Sequence, residues 1–198
     1  MELERGPAWR RVVMANFWRR LPESQRDKHA RALYVALVKQ ARRPEFYLGC
    51  GVPDTVDGRF EMIALHAFLL LRRLKQDHQQ TADLAQAVFD IMFTDMDENL
   101  REMGTGDLGV GKRIKAMAAA LYGRIKVYEN GLAGDGLDQA LRRNLFAAAT
   151  PRAADVARLT LYLRREAAAL DDTSLDQLLT GQVAFGPAPA GTAEEGTA

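Results

Sequence analysis

Apolar side chains recur along this chain at intervals of three and four residues, the spacing that lines one face of an α-helix. Ala30, Leu33, Tyr34, Leu37, Val38 and Ala41 form the first unbroken stripe, after Pro22 and before Pro44, and predict a helix over about 25–42. From Arg59 onward, Phe60, Ile63, Ala64, Ala67, Phe68, Leu71 and Leu74 line one side, while Met62, Leu65, Leu69 and Leu70 occupy much of the other. A helix that is apolar all round belongs at the centre of a bundle. Over 82–103 the pattern changes to a single seam of Phe89, Phe93, Met96, Leu100 and Met103, with Asp83, Asp90 and Asp97 forming an acidic stripe. The segment 110–130 sets Val110, Ile114, Met117, Leu121, Ile125 and Tyr128 against Lys112, Arg113, Lys115, Arg124 and Lys126. Further helices are predicted over 137–149 and 152–170, the latter opened by Thr150-Pro151, with a short one at 174–180.

The breaks between these stripes are as informative. Gly49, Gly51, Pro53, Asp54, Asp57 and Gly58 predict a long structured loop over 46–58. Gly104, Gly106 and Gly109 mark a connector, and Gly131, Gly134 and Gly136 another break. There is almost no strand-like alternation, and no self-similar period of the solenoid kind. The pattern predicts an all-α protein: a single irregular helical bundle of about six to seven helices over 22–180. A basic amphipathic segment at 1–21 precedes it. The tail at 181–198 has little that builds a core and is expected to be disordered.

Composition narrows the classes. The 198 residues suit one domain, and 27 Lys+Arg against 26 Asp+Glu leave electrostatic work to local patches. The single cysteine, Cys50, excludes an internal disulfide, and His29, His66 and His78 lie too far apart in sequence for a zinc motif. The most apolar run, 62–71, stops at Arg72-Arg73 and reads as a buried helix. The N-terminus is Arg-rich but carries Glu2 and Glu4 and no apolar signal core, so a cytoplasmic protein in a reducing compartment is expected. There, Trp9, Val12, Val13 and Phe17 sit at helical spacing beside Arg10, Arg11, Arg19 and Arg20. Two readings stand for that segment: docking on a membrane surface or RNA-rich machinery, and packing on the bundle.

Candidate chemistry fails on close reading. Residues 104–109 satisfy G-x-G-x-x-G and 106–112 satisfy G-x-x-x-x-G-K, but Arg113 stands where a magnesium-binding hydroxyl is needed, and the preceding segment is helical. A connector whose glycines adopt positive φ or allow close packing is expected. Asp95-Met96-Asp97-Glu98-Asn99 imitates the start of an EF-hand, yet Leu100 takes the glycine position and Gly106 that of the bidentate glutamate. His66 reads as a hydrogen-bonded packing residue or an axial haem ligand, and Cys50 as an inert thiol or a nucleophile. Ser24 and Ser174 lie in no nucleophile elbow. No catalytic constellation, metal site or cofactor is expected.

The chain resembles the ubiquinol–cytochrome c reductase assembly chaperones of mitochondria and α-proteobacteria. The likeness runs through Phe46-Tyr47, the stretch Val52-Pro53-Asp54-Thr55-Val56-Asp57-Gly58-Arg59-Phe60-Glu61-Met62, Leu65-His66 and Leu71-Arg72-Arg73-Leu74. It continues in Phe89-Asp90, Met92-Phe93, Asp95-Met96-Asp97, Leu100-Arg101-Glu102-Met103-Gly104, Gly106-Asp107, Val110-Gly111-Lys112, Tyr122-Gly123-Arg124 and Ala140-Leu141-Arg142-Arg143-Asn144. The resemblance implies a non-enzymatic chaperone that engages newly made cytochrome b and aids its assembly into the respiratory bc1 complex. For mitochondrial relatives it implies a helper subunit and a place near the ribosomal tunnel exit; peripheral contact with the inner membrane also fits. The lack of a long presequence suits a bacterial member. An alternative is a haem-handling protein that uses His66 or Cys50 to supply b-type haem to the same client.

Residue chemistry offers a client surface. Asp54, Asp57, Arg59, Asp95, Asp97, Arg101, Glu102, Asp107 and Lys112 cluster around the two irregular connectors, where loops carry function. An apolar client also calls for a groove lined by Phe46, Tyr47, Phe89, Phe93 or Tyr122. The structural alternative for the acids is capping, with Asp54 or Asp57 serving the helix near Arg59 and Asp107 the one near Val110.

Overall fold

The computed structural model describes residues 25–102, 104 and 106–190, without the side chains of Asp107 and Leu108. The predicted segment 1–21 and residues 191–198 lie outside the described residues. In chain order the helices are α1 (Gln25–Ala41), α2 (Pro44–Gly49), α3 (Val56–Gln76), α4 (His78–Glu102), α5 (Asp107–Ala133), α6 (Leu137–Asn144), α7 (Ala153–Asp171) and α8 (Leu175–Leu179). No strand occurs among the described residues. The architecture is all-α and bundle-like.

The all-round apolar helix is the hub. α3 packs against α1, α4, α5 and α7, and residues from both of its sides, Ile63, Ala64 and Phe68 as well as Met62, Leu65 and Leu69, are buried. Each fully buried leucine or phenylalanine here contributes about 1.5–3 kcal/mol relative to exposure. α1 lays its stripe across α3 and α4, while α6 and α7 close the far side. The α3–α4 corner is tight because Thr81 Oγ1 donates to the Leu74 carbonyl and, at 3.0 Å, to that of Asp77. Arg73 braces the same corner, 2.6 Å from the Asp77 carboxylate.

Three expectations are corrected. The segment 46–58 is not all loop: Pro44 opens α2, where its missing N–H costs nothing, and the six-residue helix buries Phe46. So short a helix has too few positions to show a period. Thr55, not Asp54 or Asp57, caps α3, its hydroxyl accepting from the Gly58 N–H at 3.1 Å, and Gly106 rather than Asp107 precedes α5. Residues 181–190 of the expected disordered tail lie along the bundle instead. Val183 and Phe185 pack on the core, and the Gly186 N–H donates to Glu166 at 2.8 Å. Composition misses this because backbone hydrogen bonds, not many apolar side chains, hold the segment.

Candidate functional site

Consecutive helices joined by short turns run antiparallel, so α3 begins, α4 ends and α5 begins at one end of the bundle. The two irregular connectors therefore meet. Arg113 Nη2 of α5 lies 3.6 Å from Asp57 Oδ1 of α3 and ties them together. Around that end stand Asp54 and Arg59, paired at 2.6 Å, and Asp97 and Arg101, paired at 2.6 Å across one helical turn. The Arg59 guanidinium holds the Asp54 carboxyl below its ordinary value. Both pairs are solvent-exposed, so they contribute little stability and remain available to a partner. Glu102 and Lys112 are exposed nearby. Asp95 turns away from this end toward α1, where it accepts from the Tyr34 hydroxyl at 2.7 Å.

The predicted aromatic groove divides into three places. Phe46 is fully buried, edge-on to His66 at 5.5 Å and to Tyr162 at 5.1 Å, and opens onto no surface groove. Its position on the inner face of α2 accounts for the correction. Tyr47, on the outer side, donates to the Ala41 carbonyl at 2.9 Å and walls a groove of about 400 Å³ with Arg42, Pro44, Leu48, Asp54 and Arg59. The Tyr122 ring lies tilted against Phe89 at 5.6 Å, and Phe89 against Phe93 at 4.6 Å, where α4 meets α5. Tyr122 also lines a separate cleft of about 390 Å³ with Leu71, Arg72, Lys75 and Lys126.

Sequence reasoning missed Leu48, which is 86% exposed at the groove beside Asp54 and Arg59. Its signal was its place directly after Phe46-Tyr47, since on a helix three successive apolar residues cannot all face inward. Arg113, which reaches from α5 to Asp57, was read as part of a basic face and as the residue that spoils a phosphate-loop match.

The remaining candidates are occupied by structural duties. His66 is fully buried; its Nδ1–H donates to the Met62 carbonyl at 2.8 Å and its Nε2 accepts from the Tyr162 hydroxyl at 2.8 Å. The Met62 carbonyl can only accept, which puts the proton on Nδ1, and Tyr162 in turn accepts from Gln40 Nε2 at 2.9 Å. Burial pushes His66 down to about 4, so the imidazole is neutral, and neither nitrogen is free to ligate haem. Cys50 is buried too, and burial pushes its thiol up. The acids imitating an EF-hand lie on the regular helix α4, and among the described residues no group of three His, Cys, Asp or Glu side chains is placed to hold a metal ion. The connector between α4 and α5 is shorter than its glycines predict, because Gly109 lies in the first turn of α5, while Gly104 takes φ +81°, as a turn role predicts.

Against this geometry stand the relatives. Residues 48–185 match the ubiquinol-cytochrome C chaperone family. The chain is 29% identical over 158 residues to the ubiquinol-cytochrome c reductase complex assembly factor 1 of Mus musculus, covering 78% of this chain and 54% of that protein. It is 27% identical to the Xenopus laevis assembly factor 1, covering 79% of it. The chain thus spans about half the length of the mouse relative. The crystal structure of the Cbp3 homolog from Brucella abortus is similar with a TM-score of 0.74 and 34% identity, covering 83% of this chain and 92% of that one. The chain belongs to the ubiquinol-cytochrome c chaperone family.

Proposed function

We propose that this chain is a non-enzymatic assembly chaperone that binds newly made cytochrome b and promotes its assembly into the respiratory bc1 complex. The family match over 48–185 carries the reading, because it includes the connector end from Leu48 through Arg113. The client contact is that end: Tyr47 and Leu48 give apolar surface, and Asp54, Asp57, Arg59, Asp97, Arg101, Glu102 and Lys112 surround it with charge of both signs. Such a mixture suits a membrane protein whose polar loops emerge beside apolar helices. The chaperone works from the cytoplasmic side, in peripheral contact with the inner membrane. Among the described residues, no helix is long and apolar enough to cross a membrane.

Deleting the chain from its host should abolish assembled bc1 complex, read as loss of its b-type haem absorbance in membranes, and leave other respiratory complexes in place. Normal bc1 levels in the deletion strain would refute the proposal.

A further inference from the structure

Residues 181–190 form neither helix nor strand, yet they close a groove between α1, α3 and α7. The floor of the groove is aromatic, and Phe185 sets its ring edge-on 5.4 Å from His66, beside Tyr162 and Phe46. The next residue is read through its backbone. The Gly186 N–H donates to Glu166 Oε2 at 2.8 Å, and its carbonyl accepts from Gln40 Nε2 at 2.8 Å. Glu166 and Gln40 are themselves buried, at 1% and 6% exposure. Beyond it, Arg165 donates to the Pro187 carbonyl at 2.5 Å, and the Pro189 carbonyl covers Cys50, 3.9 Å from its Sγ. A Cβ on Gly186 would lie 2.8 Å from Glu166 Oε1 and 3.1 Å from Arg165 Nη2. A larger residue there has to displace a buried carboxylate.

An aromatic pocket, a glycine held at both its N–H and its carbonyl, and contacts to the prolines that follow are the parts of a site for an extended peptide. The walls stand without the strap, since Gln40, His66 and Tyr162 belong to α1, α3 and α7, and α3 packs on both of the others. The strap is only partly sunk into the groove: Gln182, Ala184, Pro187 and Ala190 face solvent, and of residues 181–190 only Ala188 is fully buried. Vacating the groove leaves Gln40 and Glu166 each short of a buried partner, so exchange for another peptide is favoured over an empty groove.

We propose that this groove is a binding site for extended aromatic–Gly–Pro peptide segments, occupied in this structure by the chain's own residues 183–189 as an exchangeable strap. Cys50, the only cysteine, is the natural reporter. In the full-length chain, Gly186→Val and Phe185→Ala should each raise the rate at which Cys50 reacts with an aromatic disulfide reagent, by roughly ten-fold or more, as local opening requires. The helical circular dichroism should persist. A synthetic peptide with the sequence of residues 181–190 should restore protection in the Gly186→Val chain, whereas the same peptide with valine in place of that glycine should not. The proposal is overturned by any of three results: unchanged Cys50 reactivity in both variants, no protection by the peptide, or collapse of the helical signal in both variants, which would make the strap an inseparable part of the core.

Discussion

Two buried polar residues show what single positions cost and contribute. His66 remains neutral because burial lowers its pKa to about 4, below the ordinary histidine value of about 6.5. Between those values the unfolded chain binds a proton that the folded chain refuses, so stability is complete above about pH 6.5 and falls as pH drops toward 4. The full difference is on the order of 3 kcal/mol. Denaturant unfolding should show about 2 kcal/mol of this loss between pH 7 and pH 5, and His66→Asn should flatten it; an equally steep loss in the variant would mean that another group is responsible. Glu61 accepts from Arg124 through both oxygens, one at 2.7 Å, and is 8% exposed. Removing the guanidinium strands a buried carboxylate, so Arg124→Ala should cost about 3 kcal/mol in urea unfolding. A loss comparable to that of an exposed pair would show that water reaches Glu61.

At the level of elements, helix starts explain why the connector end has its shape. Gly58 sits in the first turn of α3, where a Cβ would lie 2.0 Å from the Pro53 carbonyl oxygen. The loop therefore folds directly back on the helix, and only glycine allows it. Thr55→Ala removes the cap and should lower stability by about 1 kcal/mol. Gly58→Ala should cost more, by about 2 kcal/mol or above, because it drives backbone from backbone. Thermal unfolding of the two variants checks the order, and equal losses would contradict the close approach. The long helices were legible because each repeats its apolar residues over four or more turns. α2 was not, being less than two turns long, and neither was the 181–190 strap, where Val183 and Phe185 are too few to make a pattern and the remaining anchors are backbone groups.

For the whole molecule, the candidate site was half legible. Charged residues at both connectors stood out in sequence, but periodicity cannot tell which ends of which helices meet. Only the antiparallel α3–α4–α5 arrangement brings Asp57 to Arg113, while on α2 Phe46 enters the core, Tyr47 packs partly against it and Leu48 stays outside. Electrostatic steering by this end predicts that reversing Arg59 and Arg113 together to glutamate weakens client capture by about ten-fold, while the fold, judged by circular dichroism, is kept. Undiminished capture by that double variant would move the client surface elsewhere. The most direct test is cross-linking of the tagged full-length chain in gently solubilised cells, followed by mass spectrometric mapping of the linked peptides. Cytochrome b should be the enriched partner, joined through residues 42–59 and 97–113. Recovery of no bc1 component, or of cytochrome b linked only through α6 and α7, would contradict the account.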